Sequence, residues 1–178
     1  MDNIKKYELF LKTAFSCLAC DGEIDKREVN LISKIHREKK IFGEIDLKER
    51  LNDFVKEINN EGFNFLKKYL KELNEAKLNE NDELILIEIA IQTIKADDEI
   101  KYSEVKFFKL IRSKLNIKDE DILKKHPDLE EYLEQDVFSP SYLEKIDSDY
   151  FNIEKLKNIE IESFKPILKI DEDESEKE

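Results

Sequence analysis

Glycine and proline are scarce, with three of each in 178 residues. Hairpins and tight turns draw on both, so an all-β fold is not expected. There are two cysteines, Cys17 and Cys20, three positions apart. They make no disulfide framework and fall short of the four ligands a structural zinc site needs. There are two histidines, His36 and His126, with Ser33 and Leu123 at position −3. The Glu-x-x-His pairing of helical di-iron centres is therefore missing. No serine or cysteine is arranged with either histidine as an activated nucleophile, and there is no glycine-rich phosphate loop. An enzyme is not expected.

Long apolar runs and basic stretches are missing too. The longest apolar run, residues 84–94, is broken by Glu88 and Gln92. A membrane span needs about 20 apolar residues, so none is expected. Residues 1–8 hold no apolar signal-peptide core, which makes the cytoplasm the expected location. The net charge is −12. Duplex binding calls for a basic face, so nucleic acid is not an expected partner. The lysines alternate with glutamates at helical spacing, as on solvated helix faces. Such an acidic surface favours cations or a basic partner protein.

What is present points to helices. Charged residues make up 42% and apolar residues 40% of the chain. The length suits one domain with a substantial core plus an appendage. Ile4, Tyr7, Leu11, Phe15 and Leu18 share one face and predict a helix over 3–20. A second is expected from Lys26, with Val29, Ile32 and Ile35 inward, ending near Gly43. Leu47, Leu51, Phe54 and Ile58 predict a third; Phe63, Leu66, Leu70 and Leu73 a fourth. Residues 83–94 are apolar on nearly every side and too long for a typical strand, so a central buried helix is expected. Val105, Phe108, Ile111 and Leu115 predict a sixth helix. Short helices are expected at 119–125 and 127–135. Ser139-Pro140 has the form of another helix start, with Tyr142, Leu143 and Ile146 inward. The expected fold is all-α: a compact bundle of about seven helices with a core over 1–116, a packed extension over 117–170 and a disordered acidic tail over 171–178.

One segment recurs. Asp21-Gly22-Glu23-Ile24-Asp25-Lys26-Arg27-Glu28-Val29 resembles Asp97-Asp98-Glu99-Ile100-Lys101-Tyr102-Ser103-Glu104-Val105, at an offset of 97 − 21 = 76. The match extends to Ala14 with Ala90, Leu18 with Ile94, Ile32 with Phe108 and Ile35 with Ile111. Each copy reads as helix, acidic turn, helix. Two such units commonly pack about an approximate two-fold axis.

Two readings of the acids stay open. Asp25 and Glu28 have capping-box spacing, and Asp21 before Gly22 suits a turn. In the second copy Lys101 replaces the Asp25 cap while Asp97 and Glu104 remain, which points to ligation. The string Asp21-Gly22-x-Ile24-x-x-x-Glu28 is like half of an EF-hand loop. The earlier ligand positions fall on Cys17 and Ala19, and on Thr93 and Lys95 in the second copy. An ordinary EF-hand is therefore rejected. A hard cation shared by acids of both copies and completed by water remains.

These residues resemble the tellurite-resistance TerB-like family: Leu18-Ala19-Cys20-Asp21-Gly22-Glu23-Ile24 with Glu28, and Lys95-Ala96-Asp97-Asp98-Glu99-Ile100 with Glu104. The resemblance covers residues 3–116. It departs at Asp98, where the first copy has Gly22, and at Cys20, where the second has Ala96. It implies an all-helical duplicated core, metal bound by Asp21, Glu28, Asp97 and Glu104, and a cytoplasmic role in bacterial stress response or defence. Glu23, Asp98 and Glu99 are outer candidates. The divalent ion, whether Ca²⁺, Mg²⁺, Mn²⁺ or Zn²⁺, is not distinguished. The alternatives are a metal-free interaction scaffold and a metal-dependent hydrolase using the same carboxylates. Cys17-x-x-Cys20 is expected to pack in the core, since a redox pair belongs at a helix N-terminus and this one lies near a C-terminus. Phe138, Tyr142, Tyr150, Phe151 and Phe164 are expected to cover the core, with partner docking as the alternative.

Overall fold

The computed structural model describes residues 2–20, 26–95 and 102–133. Eight α-helices appear among them: α1 Asn3–Ala19, α2 Lys26–Lys39, α3 Leu47–Glu61, α4 Phe63–Glu75, α5 Glu80–Ile94, α6 Tyr102–Arg112, α7 Asp119–Lys125 and α8 Glu130–Leu133. A short 3₁₀ turn, Pro127–Leu129, joins the last two. The described residues include no strand, and no helix among them is long and apolar enough to cross a membrane.

Local chemistry sets several of the boundaries. Asp46 accepts the backbone N–H of Glu49 at 2.9 Å and starts α3. Asn79 accepts that of Asp82 at 2.9 Å and starts α5. Glu80, Asp82 and Glu83 place negative charge in the first turn of α5, where the helix dipole favours it. Gly43, in the turn after α2, has φ of +60°, and a Cβ there would run into the ring of Tyr7. Only glycine combines that backbone with so close an approach.

The repeat is visible in the architecture. α2 begins at Lys26 and α6 at Tyr102, again 76 residues apart. α1 and α5, the first helices of the two copies, form the most extensive helix pair. Ala14 and Ala90 are both fully buried at matching positions. α5 is buried on most sides, with Leu86, Ile87, Ile89 and Ala90 at 1% exposure or less, as its apolar sequence requires.

Three details differ from the sequence reading. Ile4, expected on the shared face of α1, is 69% exposed, because it sits in the first turn beyond the edge of the core. The buried face of α4 is Phe65, Leu66, Tyr69 and Leu73, whereas Leu70 is half-buried. Aromatic bulk decides this: Phe65 packs on Phe15 and Phe54 at 5.7 and 6.0 Å, and Tyr69 on Phe107 at 6.3 Å. On α6, Phe107 and Phe108 are buried while Val105 is half-buried. The larger rings take the core positions. Residues 117–133 belong to the same packing, with Ile117, Ile122 and Leu129 buried in the common core.

Candidate metal centre

Helix direction is what relates the two copies. Lys6 in the first turn of α1 pairs with Asp82 in the first turn of α5 at 3.2 Å. The two helices therefore start at one end of the bundle and run in the same sense. Their C-termini, at Ala19 and Ile94, point toward the other end. Segments 21–25 and 96–101, which carry most of the acids, follow these two C-termini in the sequence.

A second observation agrees. Glu104, in the first turn of α6, is only 6% exposed. Its charge acts on Cys17, in the last turn of α1: burial pushes the thiol up first, and Glu104 pushes it further. The downstream acid of the second copy thus lies within electrostatic reach of the end of the first copy's opening helix. A carboxylate this buried needs compensation by cations or hydrogen-bond donors.

The structure places the four candidate ligands unequally. Glu104 is among the described residues, buried on α6. Glu28 lies on α2, but its side chain is outside the described set, as are Asp21 and Asp97. The outer candidates Glu23, Asp98 and Glu99, the Asp25 cap and the Ser139-Pro140 helix start also lie outside the described residues. Among the described residues, no group of three or more histidine, cysteine or acidic side chains is placed to hold a metal.

Lys95, whose charge argues against an EF-hand loop, is engaged elsewhere. It pairs with Asp128 and lies 5.6 Å over the ring of Tyr132. This hydrogen bond holds the Asp128 carboxyl below its usual range. Lys95 therefore ties the end of α5 to the 3₁₀ turn and α8.

Cys17 and Cys20 are buried and unbridged. Burial keeps the Cys17 thiol protonated, and Tyr69 is likewise pushed up by burial first, then by Cys17. Groups held protonated in this way are packing residues, not nucleophiles. His36 is half-buried and stacks on Phe42 at 5.8 Å with the rings 13° apart. His126 caps α7 just before Pro127.

Sequence reasoning missed two buried carboxylates at the head of α5, Asp82 and Glu83. Glu83 is 4% exposed and accepts the backbone N–H groups of Asn116 at 2.9 Å and Ile117 at 2.6 Å. It also accepts the Asn116 side-chain amide at 3.2 Å. This clamp pins the chain after α6 to the start of α5. An acid at the head of an apolar helix is as readily a dipole partner, so sequence alone offered no sign of its long-range donors.

No family model matches this chain, and neither a curated protein nor a solved structure matches it.

Proposed function

We propose that the protein is a TerB-like, non-enzymatic helical module that binds a divalent cation through paired acidic segments. Asp21 and Glu28 supply carboxylates from the first copy, Asp97 and Glu104 from the second. Hard oxygen donors of this kind suit Ca²⁺, Mg²⁺ or Mn²⁺ better than softer sites would. The supporting observation is the parallel course of α1 and α5, with the charge of Glu104 in one copy acting on Cys17 in the other. The two helices that precede the acidic segments in the sequence therefore end on the same side of the bundle. Bound metal would tie the halves together and shape an acidic surface for a protein partner in bacterial stress response or defence.

Thermal unfolding tests this reading, first with EDTA and then with added Ca²⁺, Mg²⁺, Mn²⁺ or Zn²⁺. A cation that binds only the native state raises stability by mass action. A saturable, ion-selective rise is expected. No rise at millimolar ion would leave a metal-free interaction scaffold whose acids are caps and solvated charges.

A further inference from the structure

α4 fills a groove between α1 and α6. Tyr69 meets Phe107 of α6 and donates a hydrogen bond to Thr13 of α1 at 3.0 Å. Phe65 packs on Phe15 of α1, and Glu72 pairs with Lys12 at 3.0 Å. The 76-residue offset converts this groove into another. Phe107 and Ile111 correspond to Leu31 and Ile35 on α2; Phe15 and Lys12 correspond to Ile91 and Glu88 on α5. Those four residues line a groove of about 540 Å³ between α2 and α5, edged by His126 and Asp128. Phe107 is 3% exposed beneath α4, whereas its counterpart Leu31 is only half-buried. Among the described residues, the molecule carries two equivalent grooves, one covered by a helix and one open.

The remainder of the chain holds a matching pattern. α4 buries Phe65, Leu66, Tyr69 and Leu73, at positions i, i+1, i+4 and i+8. Tyr142, Leu143, Ile146 and Tyr150 repeat that spacing at 142 − 65 = 77 residues' distance, within one residue of the repeat offset. The contact chemistry changes in step. Thr13, which accepts the Tyr69 hydroxyl, corresponds to Ile89, and Tyr69 corresponds to Ile146, so an apolar pair replaces a polar pair on both sides. The position of the chain also agrees. Tyr132 on α8 lies against Lys95, which lines the open groove. Six residues from Leu133 to Ser139 span up to about 20 Å.

We propose that residues 139–151 form the second copy's counterpart of α4 and lie in the α2/α5 groove of their own chain. The groove is then an internal docking surface for an amphipathic helix, read through anchors on one face.

Full-length protein carrying Leu31→Cys and Ile146→Cys, treated with a short bismaleimide, tests the proposal. Cys17 and Cys20 are buried, and the parent protein, which carries only these two, measures any background reaction. Rapid cross-linking within one chain is expected, independent of protein concentration. The control pair Lys56→Cys with Ile146→Cys, Lys56 being exposed on α3, should react far more slowly. Equal rates for the two pairs would overturn the proposal. Cross-links only between chains would overturn it in favour of a second copy as the occupant. A second measurement uses Leu31→Cys alone. Adding Ile146→Asp should speed maleimide labelling of that thiol roughly tenfold or more, since it removes one apolar anchor. An unchanged rate would mean that the groove is not covered by this segment.

Discussion

Tyr69 donates a hydrogen bond to Thr13 at 3.0 Å, and Thr13 in turn donates to the carbonyl of Leu9 at 2.8 Å. Both side chains are fully buried between α4 and α1. Removing only the acceptor strands the Tyr69 hydroxyl in the core. Thr13→Val should therefore destabilise by about 1–3 kcal/mol. Thr13→Val combined with Tyr69→Phe should be less destabilised than the sum of the single variants, because the stranded hydroxyl is gone. Urea unfolding of the four proteins gives the coupling. Strict additivity would show that the hydrogen bond contributes nothing.

The Glu83 clamp gives a prediction that depends on shape as well as charge. A glutamine amide oxygen accepts the N–H groups of Asn116 and Ile117, but its NH₂ then meets the donor side chain of Asn116. Glu83→Gln should destabilise by about 1.5–3 kcal/mol, the range for hydrogen bonds to charged groups. Glu83→Ala should lose more, since it strands two backbone donors. Hydrogen exchange at Asn116 and Ile117 should rise in both variants. Unchanged exchange there would show that the loop is held by its apolar neighbours alone.

Gly43 tests the packing of α1 against the turn after α2. An alanine there takes a left-handed φ and drives its Cβ into the Tyr7 ring. Strain and overpacking together should cost about 2–4 kcal/mol. In a Tyr7→Leu background the steric part shrinks, so Gly43→Ala should cost less there. Chemical denaturation of the four proteins checks this. An equal cost in both backgrounds would assign the whole effect to the backbone.

The helices were legible in the sequence because their apolar spacing is regular, and the central α5 because it is apolar on almost every side. The boundary of α2 and its counterpart α6 was legible through the 76-residue offset. The inward face of α4 was not. Leu70 and Tyr69 compete for the core, and only the three-dimensional position of Phe107 and Thr13 selects the tyrosine. Glu83 was hidden for the same reason, its donors lying more than 30 residues away in the chain. Of the candidate metal ligands, Glu104 is buried, and its charge acts on Cys17. Its carboxylate was readable in the repeat, but its influence on Cys17 was not, since that interaction joins the two copies.

His36 should make stability depend on pH. Burial is the main cause that lowers its pKa from 6.5, with Lys40 adding to the shift and Glu44 opposing it. The unfolded chain therefore binds more protons than the folded one between the depressed value and 6.5. Stability is fully present above pH 6.5 and is lost as pH falls through the folded pKa. His36→Gln should flatten this part of the stability profile. Denaturation midpoints from pH 8 to pH 5 measure it, and an identical slope in the variant would assign the dependence to other groups.

The cation proposal makes a prediction about which acids matter. Asp21→Ala together with Asp97→Ala removes one carboxylate from each copy. A cation at a hundred times its dissociation constant stabilises the native state by about 2.7 kcal/mol. For a chain of this size that corresponds to a rise of roughly 5–10 °C in Tm. The double variant should show no such rise, and Glu104→Gln should weaken it. Glu75→Ala is the control, because Glu75 is an exposed acid on α4, remote in sequence from both acidic segments. It should keep the full, ion-selective rise, since diffuse screening by counterions does not depend on one surface carboxylate. If the double variant is stabilised as much as the control, the cation binds elsewhere, and Asp21 and Asp97 return to being turn residues.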